Sequence, residues 1–473
     1  MVFSSPAFLF AFLPVTFLLY RLIPGHGRAS VTAKNALLAL LSILFYAFGE
    51  PIYVLLLLAS VVINYLAGRL LSPGFRGRRL VLCLAVAGNL GLLCVFKYAD
   101  FAVSTLNRLP GIALPLPGIA LPVGISFFTF QGLSYVIDCY RDESLVSRSL
   151  LKLTLYISFF PQLIAGPIVK YHDVSLQIDS RETSPALTAD GIRRFILGLS
   201  KKVLIANTAG GAADLVFTAS AAQLDIRSAW LGALCYMLQI YFDFSGYSDM
   251  AIGLGRMFGF QFLENFDHPF ASGSIKEFWR RWHISLSSWF RDYLYIPLGG
   301  NRKGRLRTEL NKCLVFFCTG LWHGASWNFV LWGLWHGFFI ILEDLLPQPG
   351  KVRKMLWRPV TLLAVLLGFV LFRADTLAGA GLMFQNMFAG FHFTLQGSSL
   401  LRSLLTPLNL CAAGAGCVLS MPILPRVKAW AAGDGKGKVL ARIASYGAAA
   451  VLFGLCVLTV AGAEFDPFIY FRF

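Results

Sequence analysis

Three of the seven histidines lie in sequence settings where an imidazole can do chemistry. His283 follows a run of aromatic and arginine residues, and His323 and His336 each stand fourth in the pentapeptide Gly-Leu-Trp-His-Gly. An imidazole, with an unperturbed pKa near ~6.5, is the natural general base at neutral pH. All three are therefore candidate bases, and a structural hydrogen bond between helices is the alternative for each.

The spacing of two of these histidines limits how they can act together. If residues 321–337 formed one regular helix, His323 and His336 would lie about 220° apart around the axis and ~20 Å apart along it. At that separation they cannot share one small site, so at most one of them is the base. The polar residues around them favour His323 and His283, and His336 is predicted to be structural.

Other catalytic signatures are missing from the sequence. It contains no G-x-S-x-G elbow, no H-E-x-x-H, no phosphate-binding loop and no dinucleotide-binding glycine motif. The nine cysteines lie mostly inside apolar runs, without a C-x-x-C pair or zinc spacing, so we expect neither a metal nor a bound cofactor. What remains is attack by a hydroxyl of the acceptor, assisted by histidine.

Residues 241–250 place Asp243 and Asp249 between apolar stretches. Ionisable groups in such surroundings usually pair or line a pathway. The alternative is a helix break whose carboxylates cap helices or pair with Arg280 or Arg281.

A basic segment follows these carboxylates. Eight lysines and arginines lie between Lys276 and Arg307, against three nearby acids. Besides marking a cytosolic loop, such a surface suits the phosphates of coenzyme A or of a carrier-protein phosphopantetheine. Arg280, Arg281 and Arg302 are the candidate donor-binding residues.

The elements that position these residues are predicted to be membrane helices. The chain is 57% hydrophobic and 14% charged, with a mean hydropathy of +0.66, which is too apolar for a soluble protein of 473 residues. Crossing ~30 Å of hydrocarbon takes roughly 17 to 25 apolar residues, and about eleven transmembrane or re-entrant helices fit the sequence. We therefore expect an all-α, polytopic integral membrane protein.

The distribution of charge predicts the topology. The net charge of +17 is explained by lysines and arginines in cytosolic loops, so no nucleic-acid partner is expected. The first apolar run, residues 6–22, is predicted to be a retained helix rather than a signal peptide. Both termini are expected on the extracytoplasmic side of the membrane.

The organisation of the chain indicates one membrane domain, residues 1–473, with a catalytic core at 120–340. Polar residues interrupt the apolar runs between 193 and 307, as happens where backbone lines a watery cavity. The aromatic tail 464–473 is predicted to dock on the extracytoplasmic side. It either anchors the chain at the interface or brings Tyr470 to the mouth of a tunnel, where its phenol takes the acyl group.

Taken together, these motifs resemble the bacterial membrane-bound O-acyltransferases, in particular the branch that O-acetylates alginate. The resemblance rests on Trp282-His283, on Gly320 to Gly324, on Tyr241 to Asp249, and on residues 1–5, 121–127, 163–167, 277–285 and 291–304. It implies a ring of helices around a central tunnel. It also implies an essential histidine at His323 and a supporting one at His283, and it matches the family's terminal aromatic motif to residues 468–473, which favours Tyr470 as an acyl relay.

The function expected from this resemblance is transfer of an acyl group, in the first place acetyl, to an exopolysaccharide such as alginate. The donor would be acyl-CoA or an acyl-phosphopantetheine carrier on the cytosolic side, and an extracytoplasmic SGNH-type partner would complete the transfer. D-alanyl or other acyl transfer to teichoic acid or another envelope polymer is the alternative. A transporter, from a different class, predicts inverted repeats, which are not visible in the sequence.

Overall fold

The computed structural model describes residues 2–25, 27–72, 74–164, 166–346, 351–423 and 435–462. Within these ranges the regular elements are helices and none is a strand, which confirms the all-α prediction. The tail 464–473, with Tyr470, lies outside the described residues.

The helices of the first half are mostly short. They are α1 Leu13–Leu22, α2 Arg28–Gly49, α3 Val54–Leu70, α4 Arg78–Leu93, α5 Ala99–Leu106, α6 Ile125–Arg141, α7 Leu150–Ser158, α8 Phe160–Leu163, α9 Tyr171–Asp179 and α10 Pro185–Ser200. Two π-helical turns, Phe8–Phe12 and Cys94–Tyr98, precede α1 and α5, and a 3₁₀ turn spans Glu143–Leu145.

The second half contains longer helices. They are α11 Asn207–Phe217, α12 Ile226–Met257, α13 Ile275–Arg281, α14 Ile284–Phe290, α15 Arg305–His323, α16 Trp327–Leu345, α17 Lys351–Arg373, α18 Leu377–Ala389, α19 Leu395–Leu404, α20 Pro407–Ser420 and α21 Gly435–Gly462. The π-helical turns Lys201–Ala206 and Arg291–Tyr295 precede α11 and follow α14, and a 3₁₀ turn spans Pro269–Ala271.

Few of these helices are long and apolar enough to cross a membrane alone. Among the described residues three satisfy both criteria: Arg28–Gly49, Arg78–Leu106 and Ile443–Gly462. A fourth span forms if α19 and α20, which are bent by 63° relative to each other, are taken together. Shorter apolar helices, Phe8–Leu22 and Val54–Leu70, accompany them, and the count of eleven crossings stays a prediction.

The described residues divide into two compact units, and the single-domain expectation likewise stays a prediction. Residues 1–195 and 248–263 form the first unit. Its core contains a cluster of phenylalanines, in which the ring centroids of Phe3 and Phe8 lie 4.9 Å apart. Elsewhere in this unit the buried amides of Asn64 and Asn89 exchange hydrogen bonds of 3.2 and 2.9 Å between α3 and α4. Such amide pairs hold apolar helices together, since each satisfies the other's polar atoms.

The second unit comprises residues 196–247 and 264–473. Inside it, α15 and α16 approach so closely that glycine is required at the crossing. A Cβ atom at Gly333 would lie 2.3 Å from the carbonyl oxygen of Phe316, and one at Gly320 would lie 2.3 Å from that of Phe329. The glycines that open the two Gly-Leu-Trp-His-Gly sequences therefore set the spacing of the helices that carry the histidines.

The carboxylates of residues 241–250 lie on an unbroken helix, so the alternative of a helix break is wrong. α12 runs continuously through the segment. Within the second unit Asp243 pairs with the buried ammonium of Lys202 at 2.7 Å, and within the first unit Asp249 accepts a 2.9 Å bond from Nε of Arg194. The partners are therefore Lys202 and Arg194, where the alternative had named Arg280 and Arg281. Since each carboxylate has a paired cation nearby, the apolar helix tolerates both without a break.

Candidate active site

His323 is the last residue of α15, and its side chain is buried at 3% exposure. The following residue, Gly324, is extended at φ −173°, so the helix stops directly after the imidazole. The ring packs edge-on against Trp332 at 4.9 Å and against Phe372 at 5.2 Å. An apolar cage of this kind excludes water and holds the imidazole in one place.

His283 lies between the two short helices α13 and α14, in a conformation that is unusual for a residue with a side chain. Its φ of 44° is in the left-handed region, where a non-glycine residue costs of order 1–3 kcal/mol. The side chain is fully buried and makes a perpendicular contact with Phe244, with the ring centroids 4.5 Å apart. The strained backbone aims this imidazole into the aromatic core of the unit.

Asn265 orients His283, a role that was not predicted from the sequence. Its side-chain oxygen lies 3.3 Å from Nδ1 of His283 and accepts bonds of 3.1 Å from the backbone N–H and 2.9 Å from the hydroxyl of Ser285. Because a carboxamide oxygen only accepts, Nδ1 carries the proton and Nε2 carries the lone pair. Nothing in the spacing of residues 265 and 283 signals this contact.

The two predicted histidines come together in the structure. The ring centroids of His283 and His323 are 6.4 Å apart, at an interplanar angle of 63°. Trp322 lies beside both, 5.9 Å from His283 and 5.0 Å from His323. A neutral imidazole can accept a proton through its unprotonated ring nitrogen. The arrangement suits proton abstraction from a hydroxyl placed between the rings.

The expected separation of His336 from His323 is wrong, because residues 321–337 are not one helix. α15 ends at His323 and α16 begins at Trp327, so the chain reverses between the two histidines. Both imidazoles pack on the indole of Trp332, His323 at 4.9 Å and His336 at 5.1 Å. His336 therefore belongs to the same aromatic cluster as the predicted base.

A cavity of about 570 Å³ opens beside this cluster, within the second unit. Its wall combines aromatic and aliphatic surface with hydroxyls and cations. Lys276 and Lys312 both pair with Asp344, and Arg291 pairs with Asp292 at 2.7 Å. The lining includes Lys276, Trp279, Arg280, Arg291, Lys312 and Phe316.

The three arginines predicted to bind a donor have different surroundings. Arg280 is exposed, lines the cavity and has no ion pair within the described part of the chain. Arg281 lies 2.9 Å from Glu277 and 3.7 Å from Asp267 and is not among the lining residues. Arg302 is exposed, closes the turn that begins at Gly299, and is also not among the lining residues.

Comparison with known proteins gives the class of this molecule. Residues 122–348 match the membrane-bound O-acyltransferase family, and these residues include both site histidines and the cavity. A relative that is 39% identical covers the whole chain. The chain belongs to the membrane-bound O-acyltransferase family, and it is an O-acyltransferase of the membrane.

Three relatives mark the range of similarity. A probable alginate O-acetylase of Azotobacter vinelandii is 39% identical, over 100% of both chains. A peptidoglycan O-acetyltransferase of Helicobacter pylori is 36% identical, over 82% of this chain and 80% of the relative. A teichoic acid D-alanyltransferase of Bacillus subtilis is 30% identical, over 52% of this chain and 65% of the relative.

Proposed function

We propose that this enzyme O-acetylates an exopolysaccharide such as alginate, with an acyl thioester as donor. The observation that carries the proposal is the pairing of His283 and His323 at 6.4 Å beside a basic cavity. The names of the full-length relatives support acetyl as the group transferred and alginate as the polymer. The D-alanyl alternative is supported by a relative that covers only 52% of the chain.

The donor binds in the cavity beside α13 and α14. Arg280 is exposed there and unpaired among the described residues, so it is available for a phosphate of coenzyme A or of phosphopantetheine. The aromatic wall formed by Trp279 and Phe316 accommodates the aliphatic part of the donor. Arg281 and Arg302 do not line the cavity and stay predicted donor-binding residues.

His323 acts as the general base in the transfer. It takes the proton of the acceptor hydroxyl while the oxygen attacks the thioester carbonyl, and collapse of the adduct breaks the carbon–sulfur bond. The proton then passes to the leaving thiolate, so the products are an ester and a thiol. Because Nδ1 of His283 bonds to Asn265, its other ring nitrogen, Nε2, carries the lone pair. His283 then helps to stabilise the positive charge that His323 gains when it takes the proton. A positioned base of this kind contributes about 10² to 10⁴ in rate.

Tyr470 is the first acceptor in this proposal. The aromatic motif at residues 468–473, which resembles the terminal motif of the family, supports it. An acyl ester on this phenol carries the group outward while the thioester stays inside. An extracytoplasmic SGNH-type partner then passes the group to the polysaccharide. The enzyme works in the bacterial cytoplasmic membrane with both termini outside.

The test is intact-mass and peptide mass spectrometry of the purified enzyme after incubation with acetyl-CoA. Wild type is compared with His323→Ala and Tyr470→Phe. We expect an adduct of about 42 Da on Tyr470, the mass of an acetyl group in place of hydrogen, that needs His323. A different result would be that no adduct forms and that polymer acetylation in cells is retained in Tyr470→Phe but lost in His323→Ala. Tyr470 would then not be an acyl relay, and the assignment of the enzyme as an O-acyltransferase would stand. Acetylation that survives His323→Ala would refute the base.

A further inference from the structure

Residues 109–122 consist of two consecutive copies of the heptapeptide Leu-Pro-Gly-Ile-Ala-Leu-Pro. The glycine of each copy is in the left-handed region, Gly111 at φ 82° and Gly118 at φ 63°. In both copies the isoleucine is partly buried, whereas the leucines before and after it are exposed. The segment, called the leucine-proline loop below, therefore presents the same apolar pattern twice.

Side-chain hydrogen bonds fasten the leucine-proline loop to the helices beside it. The amide of Asn107 donates to the carbonyl of Leu114 and accepts from its N–H, each at 2.8 Å. The carboxylate of Asp100, in α5, accepts from the N–H of Gly118 at 2.9 Å. The hydroxyl of Tyr53, directly before α3, donates to a carbonyl of the second copy at 3.1 Å. The exposure of the leucines is therefore a property of the folded loop.

The leucine-proline loop begins at a surface that faces lipid. It follows the span Arg78–Leu106, of whose most apolar stretch only 17% is buried inside the protein, and it leads into the buried start of α6. No charged residue occurs from 109 to 137. Leu109 is 53% exposed and Leu116 is 58% exposed. A fixed row of leucines without any charge is unfavourable in water, so an apolar partner is expected to cover it.

The backbone limits how deep in a bilayer this loop can lie. Irregular backbone does not face lipid inside the hydrocarbon, because its N–H and C=O groups would lack partners there. Four prolines lower the number of N–H donors that need a partner. At the boundary between headgroups and acyl chains, water and headgroups satisfy the remaining polar groups while leucine side chains reach the acyl chains. This boundary suits both the backbone and the side chains of the loop.

We propose that residues 109–122 form a lipid-interface anchor, whose partner is the phospholipid surface itself. The leucines insert where headgroups meet acyl chains. The hydrogen bonds from Asn107, Asp100 and Tyr53 connect the loop to the ends of α3 and α5, so the anchor fixes the depth of these two helices in the bilayer. The inference depends on the membrane location of the protein and is independent of the function proposed for the histidine site.

The first experiment uses the wild-type, full-length protein in nanodiscs of phosphatidylethanolamine and phosphatidylglycerol. Two photoreactive phosphatidylcholines are tested separately, one with a diazirine at the headgroup and one with a diazirine near the end of an acyl chain. Labelled peptides are identified by mass spectrometry. The peptide that contains Leu90 is the reference for hydrocarbon depth, since Leu90 is exposed near the middle of the span Arg78–Leu106.

We expect the ratio of headgroup to acyl-chain labelling to be at least about fivefold higher for residues 109–122 than for the Leu90 peptide, as a position at the headgroup boundary requires. The same ratio for both peptides would place the loop in the hydrocarbon and overturn the proposal. Labelling of the Leu90 peptide alone would also overturn it, because the loop would then not contact lipid.

A second experiment distinguishes lipid from a protein partner. The photoreactive residue p-benzoylphenylalanine replaces Leu116, or Leu109 at the equivalent position of the other copy, and intact cells that produce the full-length protein are irradiated. Replacement of Leu90 is the matched control and should give a phospholipid adduct. We expect phospholipid adducts at Leu116 and Leu109 as well. Adducts with another protein, or with a second copy of this chain, would overturn the anchor and make the loop a docking surface.

Discussion

At the scale of single residues, the chemistry of the site depends on which nitrogen of His283 carries the proton. A histidine can present either nitrogen, and the partner of one fixes the role of the other. Here the side-chain oxygen of Asn265 lies 3.3 Å from Nδ1, and the same oxygen holds Ser285. Asn265 therefore governs both the tautomer of His283 and the start of α14.

This leads to a prediction for Asn265→Leu. The substitution removes the acceptor and leaves buried donors unpaired, which costs about 1–3 kcal/mol for each. We expect acetyl transfer to fall about 10- to 100-fold, because His283 then populates the wrong tautomer. The measurement is the rate of acetyl transfer from acetyl-CoA, compared with wild type at a temperature at which both proteins are folded.

Asn265→Asp, which keeps a side-chain oxygen acceptor, is the matched control and should retain more activity than Asn265→Leu. If the leucine variant transferred acetyl groups at the wild-type rate, Asn265 would have no role in orienting His283.

At the scale of elements, the site depends on how closely α15 and α16 pack. α15 ends at His323 and α16 carries both Trp332 and His336, so the crossing fixes three members of the aromatic cluster at once. Gly333 allows the approach, because any Cβ at this position would lie 2.3 Å from the carbonyl oxygen of Phe316. Backbone atoms cannot give way as a flexible side chain does.

Gly333→Ala is therefore expected to push the two helices apart. Overpacking of this kind costs typically about 1–3 kcal/mol, and the movement also displaces Trp332 from His323. We expect a lower melting temperature together with a loss of acetyl transfer of at least tenfold. Thermal unfolding in detergent and the transfer assay measure the two effects.

Gly381→Ala is the matched control, since nothing lies within 4 Å of a Cβ at Gly381 and the residue is also inside a helix. Alanine favours helices over glycine, so this variant should be as stable as wild type or slightly more stable. A Gly333→Ala enzyme with wild-type stability and activity would contradict the close packing.

At the scale of the whole molecule, charge determines the expected orientation in the membrane. The chain has 41 lysines and arginines against 24 acids, and lysines and arginines concentrate in cytosolic loops of membrane proteins. Residues 351–358 and 426–442 are two such basic segments, and the last span, Ile443–Gly462, follows the second of them directly. This order predicts an extracytoplasmic C-terminus.

Reporter fusions at the C-terminus test this orientation. Alkaline phosphatase is active only outside the cytosol, so its fusion to Phe473 should be active, whereas a fusion after Lys354 should be inactive. The reverse pattern would place the tail in the cytosol, where Tyr470 cannot pass an acyl group to an external partner.

The sequence by itself determined the class of this protein. Hydropathy indicated membrane helices, because a segment that crosses lipid needs apolar side chains and must satisfy its backbone hydrogen bonds within the helix. The motifs around His283 and His323 identified the family and the candidate base, because chemistry of this kind depends on short local patterns. The resemblance implied that His283 supports His323, and in the structure their ring centroids lie 6.4 Å apart.

Only the tertiary structure decided the contacts between residues distant in sequence. The pairing of Asn265 with His283, of Asp243 with Lys202 and of Asp249 with Arg194 follows from helix packing, which leaves no periodic signal in one sequence. The same holds for His336. Helical spacing placed His336 far from His323. In the structure the chain reverses between α15 and α16, and both imidazoles pack on Trp332. A break of only three residues is enough to change the direction of the next helix.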